Sequence, residues 1–405
     1  MRRALLVIVG AALGCNAILG HSSPTLFEED ASVEAGAEYF AFDDASRWAA
    51  VDLAPRTGYA GGAFDGRYVY FSPGAGTTYL LRFDTTAAFA ASAWEASDLA
   101  QKSPDLVGFD GALFDGTHVY LVPSHDALWH GRFVRYDTRQ PFTDVSSYEA
   151  NDLEKTLGPR SRGFQAGAFD GRYAYLTPFI AGAAVRFDTT SAFGTSDGYE
   201  TFTRTDAYRW RGAAVDGRYV YLVPVGDGDS TAFGGVARYD TTGAFVKGAS
   251  WRTYDLAAMV DSRAHAFGGA VFDGRYLYFI PSKESLAIRY DTDAPFDAAT
   301  SWAAMDLAKV DARAGGYSGG TFDGRYVYFV PNVNGVALRY DTQQPFTVPA
   351  WKSFDTTSLG PGAKGFSGAV FDGRHVYFVP SSGTTTVRFD ARSTPKLPPR
   401  ASSFF

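Results

Sequence analysis

Residues 61–73 read Gly-Gly-Ala-Phe-Asp-Gly-Arg-Tyr-Val-Tyr-Phe-Ser-Pro. Asp-Gly between two β-rich runs predicts a hairpin closed by a type I′ turn, with positive φ at both central residues. The run after the turn is apolar at every step from Tyr68 to Phe71, as a strand sandwiched between two other sheets requires. Pro73 lacks an N–H and ends the ladder. Near-copies of this block are centred on Asp65, Asp115, Asp170, Asp216, Asp273, Asp323 and Asp372, at intervals of 46 to 57 residues. A period of that size marks a solenoid or a propeller.

Each copy carries two more landmarks. Arg-Tyr/Phe-Asp follows at Arg82, Arg135, Arg186, Arg238, Arg289, Arg339 and Arg388. An aromatic with Asp four residues later comes next, as Trp94/Asp98, Tyr148/Asp152, Phe202/Asp206, Trp251/Asp255, Trp302/Asp306 and Trp351/Asp355. The three landmarks predict four strands per unit: a small-residue strand a, the Tyr-rich strand b, strand c ending in Arg-x-Asp, and strand d opened by the aromatic. Seven such units predict an all-β, seven-bladed β-propeller of four-stranded antiparallel blades, with Gly and Ala on the crowded innermost strand. The order of hydrophobic strand, turn, Tyr-containing strand, Tyr-Asp and Trp over residues 39–390 resembles the kelch-type propeller, although Pro stands where a kelch blade has Gly-Gly.

The seventh aromatic pair, Trp48/Asp52, precedes the first hairpin, while the last unit has no Trp after Asp390. Residues 39–52 are therefore expected to supply the missing strand d and seal the ring, removing open sheet edges. The chain divides into a signal peptide at 1–14, a tether at 15–38, the propeller at 39–390 and a loose tail at 391–405. Arg2-Arg3 and the short apolar stretch to Gly14 form the leader, and Ala12-Leu13-Gly14-Cys15 resembles a bacterial lipobox with Cys15 as the lipidated residue. Export to the cell envelope or beyond follows as an expectation, with any membrane attachment through Cys15 alone and the propeller a monomer.

At 46% hydrophobic and 16% aromatic, the chain can fill seven inter-blade cores. Its net charge of −7 becomes −9 without Arg2 and Arg3, which argues against a nucleic-acid partner. Polar residues that recur in every blade read as structure, because a propeller has one central site. Turn Arg67, strand-c Arg82 and Asp84, and Asp98 are expected to form a repeated ion network, altered in blade two by Thr117.

Function is sought where the copies differ. The a–b turns are nearly invariant and the b–c loops are not, so the b–c/d–a side is the candidate binding face. Strand a opens on an aromatic in every copy: Tyr59, Phe109, Phe164, Trp210, Phe267, Tyr317 and Phe366. The next column reads Ala60, Asp110, Gln165, Arg211, Gly268, Ser318 and Ser367. Asp110, Gln165, Arg211, Ser318 and Ser367 are the candidate ligand contacts at the channel mouth, with Tyr59, Trp210 and Tyr317 as stacking surfaces or as inter-blade packing. Arg56, Arg162, Arg209, Arg263, Arg313 and Lys364 stand just upstream, where they would ring the mouth in positive charge or serve as solvated loop cations. His125, Asp126 and His130 form a weak metal constellation, as do Asp227 and Asp229 for calcium, and neither is assigned a metal. His118 and His375 stand at the Tyr68 position and read as structural. No local catalytic motif and no cofactor motif is present, so no catalytic residue is assigned. The reading is an exported binding protein for a glycan or a protein, with a hydrolase or lyase acting at the channel mouth as the alternative.

Overall fold

The computed structural model describes residues 38–180, 182–203, 209–226 and 234–393. The leader, Cys15, Asp206, Asp227 and Asp229 lie outside the described residues. Seven four-stranded antiparallel sheets are present, each ordered a-b-c-d. Blade one consists of Tyr59–Phe64, Tyr68–Pro73, Tyr79–Asp84 and Trp94–Asp98. Blade seven takes strands a to c from Phe366–Phe371, His375–Pro380 and Thr385–Asp390, and its fourth strand from Trp48–Asp52 near the opposite end of the chain. The closing ladder runs from Trp48 opposite Phe389 to Asp52 opposite Thr385. It continues past both strands: Phe40 N–H donates to the Ala391 carbonyl at 3.0 Å, and Leu53 N–H to that of Thr384 at 2.9 Å. Arg392, buried, donates from Nε to the Gly373 carbonyl at 3.0 Å and from an η nitrogen to the Tyr39 hydroxyl at 3.2 Å. The seam therefore uses residues at both ends of the propeller.

The repeated turn is not of the expected type. The closing pair is Asp65 and Tyr68, with Asp65 N–H bonded to the Tyr68 carbonyl at 3.2 Å, so Gly66 and Arg67 are the central residues. Positive φ occurs at Gly66 alone, at 99°, the sign pattern of a II′-type rather than a I′ turn. The reason is the use made of the aspartate. One carboxylate oxygen of Asp65 accepts from the N–H of Arg67 at 2.8 Å and of Tyr68 at 2.6 Å, and the other accepts from the Tyr70 hydroxyl at 2.7 Å. The same three-way bond recurs in every blade, ending on Tyr120, Tyr175, Tyr221, Tyr278, Tyr328 and Tyr377. Those tyrosines are buried between blades, Tyr70 packing on Tyr136 and Phe142 of blade two, so each turn is tied to an inter-blade core.

The expected ion network divides in two. Turn Arg67 pairs with Asp84 at 2.7 Å, and Arg172, Arg218, Arg275, Arg325 and Arg374 pair likewise with Asp188, Asp240, Asp291, Asp341 and Asp390. In blade two, where Thr117 replaces the turn arginine, Arg139 pairs with Asp137 instead. These pairs are solvent-exposed on at least one side and each contributes about 0–1 kcal/mol. Asp98 takes no part. It sits at the opposite end of its strand, accepts from Thr78 Oγ1 at 2.6 Å and caps the following short helix at Ala100 N–H. Strand-c arginines instead bridge blades: Arg186 reaches the Tyr239 hydroxyl at 2.9 Å while stacking over Tyr173 at 4.3 Å.

Strand d of blade three begins at Tyr199 rather than at Phe202. Phe187 faces Tyr199 as Phe83 faces Trp94 and Tyr239 faces Trp251. Thr203 thus stands where other blades have Asp, and the four-residue spacing to Asp206 misled the sequence reading. A related spacing sets the indole bonds. Trp48, Trp251 and Trp302 donate to the carbonyl of the Phe six residues earlier, at 2.9, 2.9 and 3.1 Å. In blades one and six the corresponding phenylalanine, Phe89 or Phe346, is only five residues earlier, and Nε1 of Trp94 and of Trp351 is buried without a partner.

Candidate functional site

Seven copies of strand a surround a central cavity of about 220 Å³. Each copy is bulged at its start. In blade one Tyr59 faces Pro73 and Gly62 faces Phe71, so strand a spends one residue more than strand b over this stretch. Equivalent shifts occur in the other six blades. At the third position of strand a the bulge requires positive φ, and Gly61, Gly111, Gly212, Gly269, Gly319 and Gly368 supply it. The ring is also crowded there: a Cβ on Gly61 would lie 2.9 Å from Gly111 Cα. Blade three has Ala166 instead, at φ 55°, the only non-glycine with positive φ among the described residues. A left-handed alanine is strained by about 1 kcal/mol.

The bulge aims the second column over the neighbouring blade. Ser367 shows the direction: its hydroxyl donates to the Tyr59 carbonyl at 2.7 Å and lies 3.3 Å from the Gly61 N–H, latching blade seven to blade one. A Cβ on Gly268 would meet the Tyr317 carbonyl oxygen at 2.6 Å. Ser318 is buried. Ser367 is thus occupied by the seam, and Ser318 has little open surface to offer a ligand.

Blades two to four differ. Asp110 and Arg211 both line the cavity and are the only charged side chains among the described residues that do so. Arg211 lies close enough for its charge to act on Asp110, as does that of His125. Burial nevertheless pushes the Asp110 carboxyl above the usual carboxylate range, because protein surrounds it on every side except the cavity. Neither Asp110 nor Arg211 has an ion-pair or hydrogen-bond partner among the described residues. Between them in blade order stands Gln165, 8% exposed, with Oε1 buried and unpartnered.

The aromatic column is core. Tyr59, Trp210 and Tyr317 are buried, so their ring faces are not open stacking surfaces. Tyr59 packs on Phe71, Tyr317 on Phe329, and the Trp210 indole donates to the Gly235 carbonyl at 3.0 Å. Half of the positive ring is neutralised. Arg162 pairs with Glu154, Arg263 with Asp261 and Asp306, and Arg313 with Asp311 and Asp355.

His130 proves to be a fastener. It is buried, with Nε2 2.8 Å from the Val107 carbonyl and 3.1 Å from that of Gly108, while Nδ1 accepts from Arg132 N–H at 3.3 Å. Burial, together with the nearby Arg132 charge, lowers its pKa from 6.5 to about 4. Both ring nitrogens are engaged, so His130 has none to offer a metal.

One feature went unread in the sequence. The b–c loop of blade two presents Leu128, 80% exposed, beside Trp129. Trp129 stacks at 4.6 Å on His125 and at 5.3 Å on Phe179 of blade three, and Arg209 of blade four lies 5.8 Å from the Phe179 ring. The signal was available: Leu128, Trp129, Phe179 and Ile180 are apolar where the equivalent loop of blade seven reads Ser381-Ser382-Gly383-Thr384.

Fold and channel together define a seven-bladed β-propeller with a one-sided mouth. No family model matches the sequence, and no curated protein matches it, so the kelch likeness of the repeats has no further support. Solved structures match over most of the chain. Virginiamycin B lyase from Staphylococcus aureus superposes with a TM-score of 0.60 at 8% identity, covering 85% of this chain and 98% of that one. YCF48 bound to D1 peptide gives 0.55 at 15%, covering 87% and 99%. The β-propeller domain of Cps50 (Swd1) from Myceliophteria thermophila gives 0.55 at 8%, covering 83% and 97%. At these identities the likeness is one of fold.

Proposed function

We propose that the protein is an exported binding module that presents the loop-rich face of its propeller, in the sector of blades two to four, to a protein partner. The observation that carries this reading is the Leu128, Trp129 and Phe179 cluster beside Arg209, an apolar patch with a cationic edge on the loop-rich face. A peptide-bound propeller of the same fold, YCF48, gives it a precedent in architecture. Protein is favoured over glycan because the rings of Tyr59, Trp210 and Tyr317, which would have stacked on sugars, are buried. Export rests on Arg2-Arg3 and the apolar stretch to Gly14, and envelope anchoring on Cys15. A lyase or hydrolase is the second reading, favoured by Asp110, a carboxyl raised by burial beside Arg211 in a cavity.

Parallel screening of the propeller against a displayed peptide library and a glycan array tests the first reading. Peptide ligands should be recovered, and Trp129→Ala with Phe179→Ala should weaken them at least about tenfold. Glycan ligands alone, or peptide binding indifferent to both changes, would overturn it.

A further inference from the structure

The geometry points to a second, smaller site inside the channel mouth: Asp110 and Arg211 bind a small zwitterion, a molecule of the α-amino acid or short-peptide class carrying one ammonium and one carboxylate. This site is independent of the loop patch.

Of the residues that line the cavity, all but a few are Gly, Ala or other apolar residues on strand a. Into this wall two blades introduce one charge each, of opposite sign, and the pair is left unjoined. Asp110 and Arg211 are both part-buried at the cavity wall, and each keeps charge and hydrogen-bonding capacity that no other described residue takes up. Blade three separates Asp110 from Arg211 and lines the cavity with Ala166, Gly167 and Ala168. The donor and acceptor types then fix the ligand. A carboxylate is an acceptor and suits an ammonium, whereas a guanidinium has only donors and suits a carboxylate, bidentately. A purely anionic ligand would face Asp110 and a purely cationic one Arg211, so a single charge of either sign meets repulsion. The volume of about 220 Å³ admits a compact ligand and excludes a folded chain.

On the other side of the same ring, Gly268 has no side chain, Ser367 is bonded to blade one, and Ala60 carries no polar group. The two charges that line the cavity are therefore confined to one sector, with Ser318 a polar lining residue across from them.

The test is calorimetric titration of the full chain with the twenty L-amino acids and the glycyl dipeptides, followed by the N-acetyl and amide forms of any that bind. One or more free zwitterions should bind. Acetylation and amidation should each weaken binding at least about tenfold, as should Asp110→Asn and Arg211→Gln, whereas Lys352→Ala on an outer strand should leave it unchanged. Melting curves of the two variants that match the parent would show that the loss is local. Failure of the whole panel to bind overturns the site, as does binding that persists in the Asp110→Asn/Arg211→Gln double variant or that is insensitive to blocking either end. Loss of peptide binding at Trp129 leaves this result untouched, so the two sites fail separately.

Discussion

The two sides of the channel mouth are built on the same bulged strand and used differently. On the side of blades five, six, seven and one, the second column of strand a is Gly268, Ser318, Ser367 and Ala60: small groups, with the Ser367 hydroxyl spent on latching the seam. On the side of blades two, three and four it is Asp110, Gln165 and Arg211, larger groups, with Asp110, Arg211 and Gln165 Oε1 unpartnered among the described residues. The fold needs a small or seam-binding residue on one side and tolerates unsatisfied polarity on the other. Where a repeat protein departs from the repeat without a structural need, the departure points to function.

Breaking the seam has the largest expected effect. Deletion of residues 39–52 removes the fourth strand of blade seven, with Trp48 stacked on Phe354 of blade six, and should abolish cooperative melting. A melting transition like that of the parent would disprove closure by this strand.

Acid should act next, on the opposite side. His130 pins the Trp129 loop to the segment entering strand a of blade two as the neutral imidazole, so its contribution is complete above the unfolded pKa near 6.5 and is lost as pH falls from there to about 4. The loss should approach roughly 3 kcal/mol. Chemical denaturation across that window should show a slope that His130→Asn removes; equal slopes would mean that the histidine is not buried in neutral form.

Adding bulk sharpens the contrast. Gly268→Val places a Cβ against the Tyr317 carbonyl and Ser318 Cα and should cost about 2 kcal/mol. Asp110→Ala and Arg211→Ala should change stability by less than about 0.5 kcal/mol, since neither group holds the fold. Comparable losses at all three positions would erase the distinction. Smallest is the latch: Ser367→Ala should cost about 1 kcal/mol by freeing the Tyr59 carbonyl, while Ser318→Ala, with no such bond, should be near neutral. Equal denaturation midpoints for the two variants would deny the latch its role.

Blade number, strand order and ring closure were legible in the chain because they rest on local signals repeated seven times: Asp-Gly turns, the Tyr-Val-Tyr-Phe run, and the displaced Trp48. Errors arose where one copy broke the period. The four-residue spacing to Asp206 points to Phe202 as the strand-d aromatic, and only cross-strand pairing identifies Tyr199. The turn type was misread because the Asp65 carboxylate is committed to two N–H groups and to the Tyr70 hydroxyl, and the latter bond depends on the strand that follows.

Sequence alone determined that strand a carries Asp110, Gln165 and Arg211 where its other copies carry smaller residues, because a column of aligned repeats exposes composition directly. Tertiary structure alone decided which members of that column have partners. Ser367 reaches a carbonyl more than three hundred residues away in the chain, the paired loop arginines find carboxylates on adjoining strands and turns, and Asp110 and Arg211 find none among the described residues. Hydrogen bonds and ion pairs act over a few ångströms of space, and the distance along the chain carries no record of them.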